Sequence, residues 1–264
     1  MADVTPPADE IHDKEMPLLD HLAELRTRLM WSAVAFVIAF FICYHFAPEI
    51  YNFLAAPLAH ALEARGQKPQ LIYTALYEAF FTYIKVAMFG AGFLAFPVIA
   101  SQLWLFIAPG LYRKEKQAML PFLVATPILF FAGGALAYYV IFPTAWNFFL
   151  SFQNTGPGSD IQLDLMAKVS DYLNLVMKLI FAFGLSFELP VLLTLLGKVG
   201  IISSAGLKKY RRYAYVGCFI VAAILTPPDV LTQSGLAVPL ILLYEISVFC
   251  VKAVEPKPVD DVDA

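Results

Sequence analysis

The chain has 264 residues, of which 60% are hydrophobic, 15% aromatic and only 15% charged, with a formal net charge of −3. Soluble domains average about 45–50% apolar and about 25% charged residues, and a core of this size has no room for so much apolar surface. The composition excludes a disordered chain, a disulfide scaffold and a nucleic-acid binder, and leaves an integral membrane protein.

Taken in chain order, the first 28 residues form a charged N-terminal segment. It is acid-rich, and the apolar run after it is too long for the core of a cleavable signal, so no signal is expected. Within it, residues 17–29 carry Leu18, Leu22, Leu25 and Leu29 on one helical stripe, with Asp20, Glu24, Thr27 and Arg28 opposite. That pattern predicts an amphipathic helix lying at a membrane surface. A single membrane domain, 29–251, follows. A helix needs about 20 mostly apolar residues to cross a hydrocarbon core of about 30 Å. Six segments approach this, over 29–47, 78–108, 118–142, 172–197, 213–226 and 236–251, and none alternates as a barrel strand does. The expected fold is therefore all-α with six transmembrane helices. Gly90, Gly92 and Pro97, then Pro127, Gly133 and Gly134, then Gly184, Pro190 and Pro239 predict kinked, closely packed spans. The 213–226 run is short, about 21 Å at 1.5 Å per residue, and forms a short final hairpin with 236–251. Bilayer thinning or burial against other chains would accommodate it. An acidic tail, 252–264, ends the chain.

Orientation follows from the basic residues. With the N-terminus in the cytoplasm, 13 of the 18 Lys and Arg residues fall on that side, and only Arg65, Lys68 and Lys168 on the other. Both termini are thus expected in the cytoplasm. Cys43, Cys218 and Cys250 sit in apolar runs without a CxxC pair, and the four histidines lack ligand spacing. No nucleotide-binding or hydrolase motif occurs, so neither metal, cofactor nor enzymatic activity is expected.

Four stretches then stand out, in this order: residues 17–29 (Pro-Leu-Leu-Asp-His-Leu-Ala-Glu-Leu-Arg-Thr-Arg-Leu), 102–115 (Gln-Leu-Trp-Leu-Phe-Ile-Ala-Pro-Gly-Leu-Tyr-Arg-Lys-Glu), 183–190 (Phe-Gly-Leu-Ser-Phe-Glu-Leu-Pro) and 225–230 (Leu-Thr-Pro-Pro-Asp-Val). Together they resemble the TatC family, the six-span receptors of the twin-arginine protein translocase. The resemblance implies binding of twin-arginine signal peptides at the cytoplasmic face of the inner membrane and export of folded proteins on the proton-motive force. It implies TatA- and TatB-type single-span partners and self-association in a receptor complex. A six-span secondary transporter for a small solute is the competing reading, although residues 1–151 and 152–264 show no internal repeat.

Each candidate residue has a plain reading beside its functional one. Glu24 pairs with Arg28 one turn on, or, by the resemblance, accepts a signal-peptide guanidinium. Glu115 is a solvated acid among Arg113, Lys114 and Lys116, or by the resemblance the second glutamate of that site. A guanidinium binds a carboxylate through two parallel hydrogen bonds, so two glutamates suit two arginines. Arg26, Arg28, Arg113, Lys114 and Lys116 surround this site and are expected to repel an incoming arginine pair and to hold the carboxylates while it is empty. Phe106 is an interfacial aromatic, or a family position that supports signal binding. Glu188 lies mid-span, where an ionised carboxylate is costly: it is protonated, or faces a polar concavity or another chain, and the resemblance places it on a concave face. Thr226, Gln233 and Asp229 form a polar turn, or by the resemblance dock a partner's transmembrane helix. Pro57 is read as shaping the outer cap. Lys85 and Lys178 are expected to snorkel to the outer interface, and Lys178 is assigned no role.

Overall fold

The computed structural model describes residues 18–107, 120–153, 165–226 and 229–255. The described chain is helical. It runs through α1 (Leu18–His45), α2 (Ala47–Glu63), α3 (Glu78–Ile107), α4 (Leu120–Leu136), a π-helical turn (Ala137–Ile141), α5 (Phe142–Leu150), α6 (Val169–Ser186), α7 (Leu189–Lys198), α8 (Ser204–Leu225) and α9 (Val230–Val254). Among the described residues, five stretches are long and apolar enough to cross a membrane: His21–His45, Glu78–Phe106, Pro121–Leu150, Val169–Lys198 and Val230–Val254. α8 makes the sixth span of this multi-pass fold. Its first turns carry Lys208, Lys209, Arg211 and Arg212, so its apolar part begins only at Tyr213.

Several boundaries differ from the sequence reading. The amphipathic stretch and the first span are one helix, because no proline or glycine lies between Leu18 and His45 to break it. α2 was not expected. Pro48 in its first turn, Glu49 beside it and the stripe Leu54, Leu58, Ala61 and Leu62 explain it, and it buries that stripe. α9 has 25 residues, longer than the apolar run alone suggests, since Asp229 caps its start and Pro239 does not break it. The fourth span is broken at Phe187 and Glu188, where Pro190 in the first turn of α7 has no amide to donate back to α6.

Large apolar side chains face outward along the whole length of the spans, among them Trp31, Ile38, Phe41, Leu94 and Phe249. Lipid solvates these side chains, so helix association rests on close packing rather than on removing apolar surface from water. Small residues make that packing possible. A Cβ on Gly133 would lie 2.5 Å from the Phe183 carbonyl oxygen, and one on Gly184 would lie 2.7 Å from the Phe130 ring, so α4 and α6 approach backbone to backbone and backbone to side chain. Phe130, Phe142 and Phe183 are fully buried in the resulting core.

One end of the bundle, where α1, α4, α8 begin and α3, α7, α9 end, carries Arg26, Arg28, Lys198, Lys208, Lys209, Arg211, Arg212 and Lys252; it is called the basic end below. The opposite end is a stitched cap. Ile72 and Lys168 form a single parallel bridge, and the Ile72 amide donates to the Ala167 carbonyl at 3.1 Å. Glu78 accepts from the Thr74 amide at 2.8 Å and from the Ser170 amide at 3.3 Å, with the Lys168 ammonium 3.8 Å away. Arg65 donates to the carbonyls of Leu150 and Asn147, closing the end of α5. Pro57 is buried in α2 at this end.

Candidate functional site

α1 and α3 are antiparallel neighbours, and small residues set their register. Ala39, Ala91 and Ala95 form one buried seam. Farther along, a Cβ on Gly90 would meet Cys43 Sγ at 3.1 Å. The same register, continued to the basic end, brings the first turns of α1 against the last turns of α3. There Arg28 Nη2 donates to Glu24 Oε1 at 3.0 Å, and its Nη1 donates to Gln102 Oε1 at 3.3 Å. One turn away, the rings of His21 and Phe106 stack at 4.4 Å with an interplanar angle of 18°.

Glu24 and Phe106, two of the predicted residues, are therefore assembled on one patch, with Arg28 holding the carboxylate. The side chains of Arg28 and Glu24 are 30% and 21% exposed. An i,i+4 pair that solvated is worth about 0.5 kcal/mol, so a competing cation displaces it at little cost. Arg26 is exposed and lies two residues from Glu24, on a different face of α1. Glu115 and its neighbours Arg113, Lys114 and Lys116 lie outside the described residues. His21 and Gln102 were not singled out from the sequence. Their signal was their spacing, since His21 and Gln102 each stand one turn from a predicted residue, but only the α1–α3 pairing gives that spacing a meaning.

Glu188 occupies the break between α6 and α7, half-buried. Its Oε1 has no hydrogen-bond partner among the described residues. The Thr126 hydroxyl of α4 adjoins the carboxyl, and Thr126 accepts from Trp104 Nε1 of α3 at 2.9 Å. Three helices thus surround one acidic group with a polar thread inside an apolar bundle. Trp104 and Thr126 were not foreseen, because neither is polar enough on its own to stand out in a span.

The hairpin residues are arranged as follows. Thr226 is buried, and its hydroxyl donates to the Ala222 carbonyl at 2.9 Å. Gln233 Nε2 reaches the Phe219 carbonyl at 3.5 Å. Asp229 accepts from the Thr232 amide at 2.7 Å, the cap that starts α9. Pro227 and Pro228 lie outside the described residues. The two intramembrane lysines are exposed, and each finds an acceptor on a neighbouring helix. Lys85 Nζ donates to Asn174 Oδ1 at 3.3 Å and Lys178 Nζ to the Ile224 carbonyl at 3.0 Å. Near the basic end, Arg211 and Tyr215 of α8 close on the two oxygens of Glu245 in α9, at 2.5 and 2.6 Å.

Residues 20–239 match the model of a protein family described as Sec-independent protein translocase protein (TatC). A curated Sec-independent protein translocase protein TatC of Magnetococcus marinus is 52% identical over 245 residues, which are 93% of this chain and 87% of that protein. Its counterpart from Escherichia coli K12 is 43% identical, covering 88% of this chain and 87% of that one. A crystal structure of the twin-arginine translocase receptor TatC superposes with a TM-score of 0.74 at 38% identity, covering 89% of this chain and 99% of that chain. The small-solute transporter reading finds no support in these matches.

Proposed function

The chain belongs to the TatC family of Sec-independent protein translocase proteins, and on that premise we propose how it works. It is the receptor and core subunit of a twin-arginine translocase in the bacterial inner membrane. The basic end faces the cytoplasm, as the positive-inside distribution requires, and both termini lie there. A twin-arginine signal peptide binds at the patch between α1 and α3. One incoming guanidinium replaces Arg28 on Glu24, and the second meets Glu115, while Phe106 and His21 offer a stacked aromatic wall to the peptide's apolar side chains. Arg26 stays beside the site as a like charge that keeps affinity modest and salt-sensitive.

At the far end of the hairpin, Thr226, Gln233 and Asp229 form the edge where a TatA- or TatB-type transmembrane helix docks. Glu188 with Thr126 and Trp104 supplies a polar spot on the concave face, and Pro57 belongs to the outer cap. Copies of the receptor associate, because six helices are too few to enclose folded cargo, and the proton-motive force drives export.

The observation that carries this reading is the Glu24 carboxylate paired with a displaceable arginine beside Phe106. The test is photo-crosslinking of a twin-arginine signal peptide to probes beside Glu24 and Glu115 in membranes, with a Lys-Lys signal as control. Crosslinks specific to the arginine pair, and lost when both glutamates become Gln, are expected. Equal capture of both signals would reduce the site to general electrostatic attraction.

A further inference from the structure

Lys178 has no part in the proposed signal-binding patch, yet its position is specific. It stands nine residues into α6, about 13 Å along the axis from Val169, so it is a cation well inside a span. Its ammonium donates to the carbonyl of Ile224, the last residue but one of α8. The carbonyls of a helix's final turn have no partner within the helix, and in hydrocarbon an unpaired carbonyl is costly. The α8 tip is thus recessed to the depth of Lys178, and a positive charge sits at the negative end of its dipole.

Around this contact the packing is open. α8 rests mainly on α9, and α9 on α7, while α6 touches α8 only lightly. Between α6 and α8 lies a cavity of about 660 Å³, lined by Phe181, Leu185, Leu189, Gly217, Val221 and Leu225, with Lys178 at its edge. Gln233 ties α9 to α8 at the Phe219 carbonyl, nearly two turns before the α8 tip, a contact internal to the hairpin. Lys178 ties the tip to the rest of the bundle across the cavity.

We infer that Lys178 is a positioning residue: it is the strut that holds the α8 tip, and with it Thr226 and Gln233, in the register at which a partner's transmembrane helix docks. The inference rests on the proposed reading of that edge as the docking edge. Without the strut the hairpin stays folded, because its α8–α9 and α7–α9 packing is untouched, but its tip swings over the cavity and the docking edge loses its fixed geometry. The ammonium is the active feature, so arginine at this position keeps the contact and an apolar isostere does not.

The experiment uses the full chain in lipid nanodiscs, with Lys178→Met and Lys178→Arg. Hydrogen exchange reads the amides of the last turn of α8. A photoreactive residue at the exposed Val230 reads crosslinking to a TatA- or TatB-type helix, and signal-peptide crosslinking beside Glu24 reports the other end. In Lys178→Met, exchange at the α8 tip is expected to rise about tenfold and the partner-helix crosslink to fall at least threefold, with signal-peptide crosslinking unchanged. Lys178→Arg restores both. Unchanged exchange in Lys178→Met would overturn the strut. Faster exchange with undiminished crosslinking would overturn the positioning role. No partner crosslink at Val230 in the unsubstituted chain would instead sink the docking-edge reading itself, whatever Lys178 does.

Discussion

Two basic side chains close on oxygen acceptors at different depths of this bundle. At the basic end, Arg28 donates to Glu24 one turn away on the same helix, with both side chains partly in water. Farther along the span, on the exposed side of α6, Lys178 donates to a backbone carbonyl of α8, 46 positions along the chain. The first pair opens by rotation of one side chain and leaves a carboxylate ready for another cation. The second links two different helices, and within hydrocarbon the carbonyl it leaves has no water to replace the donor. Donor and acceptor chemistry is similar in both. Solvent and connectivity decide that one contact is exchanged and the other held.

The largest effect expected at the exchangeable contact is loss of its carboxylate. Glu24→Gln should weaken twin-arginine peptide binding about 10- to 100-fold, the worth of a hydrogen bond to a charged group, measured by titrating crosslink yield. Retained affinity would remove Glu24 from the site. Ionic strength separates the two contacts next. Raising salt from about 0.01 to 1 M shortens the screening length from about 30 to about 3 Å, so peptide binding should fall several-fold while hydrogen exchange at the α8 tip stays constant. Equal salt responses would break the comparison.

A smaller effect sharpens it. Arg28→Leu removes the internal competitor, and release of about 0.5 kcal/mol corresponds to roughly two- to threefold tighter binding. Weaker binding would mean that Arg28 shapes the site instead of shielding it. The smallest effect concerns the start of α8, where Glu255 accepts from the Ser204 hydroxyl at 2.6 Å and its amide at 2.7 Å. Those donors hold its carboxyl below the usual range, helped by Lys208 and Lys252. With the folded value depressed, the cap contributes fully above the ordinary carboxylate pKa and is lost as pH falls through the folded one. Amide exchange over residues 204–207 should therefore stay slow at neutral pH and quicken only in acid, while Glu255→Gln removes that acid dependence.

Much of the candidate site was legible because its chemistry is carried by residue type at short range. Glu24 and Arg28 stand i,i+4 on an evident helical stripe, and Phe106 sits at the edge of a recognisable span. What stayed hidden depends on which helices meet. His21 reads as an isolated imidazole until α3 delivers Phe106, and Gln102 reads as an ordinary polar residue until α1 delivers Arg28. Trp104 and Thr126 become a polar thread only when the broken fourth span sets Glu188 beside them. α2 was missed although Pro48 and its apolar stripe announced it, because residues 48–77 fall between the apolar runs 29–47 and 78–108 and were left to the outer loop.

The sequence by itself determined that this is a membrane protein of six helical spans and which way its basic charge is distributed. Those properties are local: hydropathy, proline and glycine act on a segment whatever surrounds it. Only the tertiary structure decided that Gln102 joins the Glu24–Arg28 pair, that Glu188 faces Thr126, and that Lys178 meets the end of α8. In a bilayer a polar side chain inside a span gains most from a partner within the protein, and that partner's identity is set by how helices distant in sequence pack.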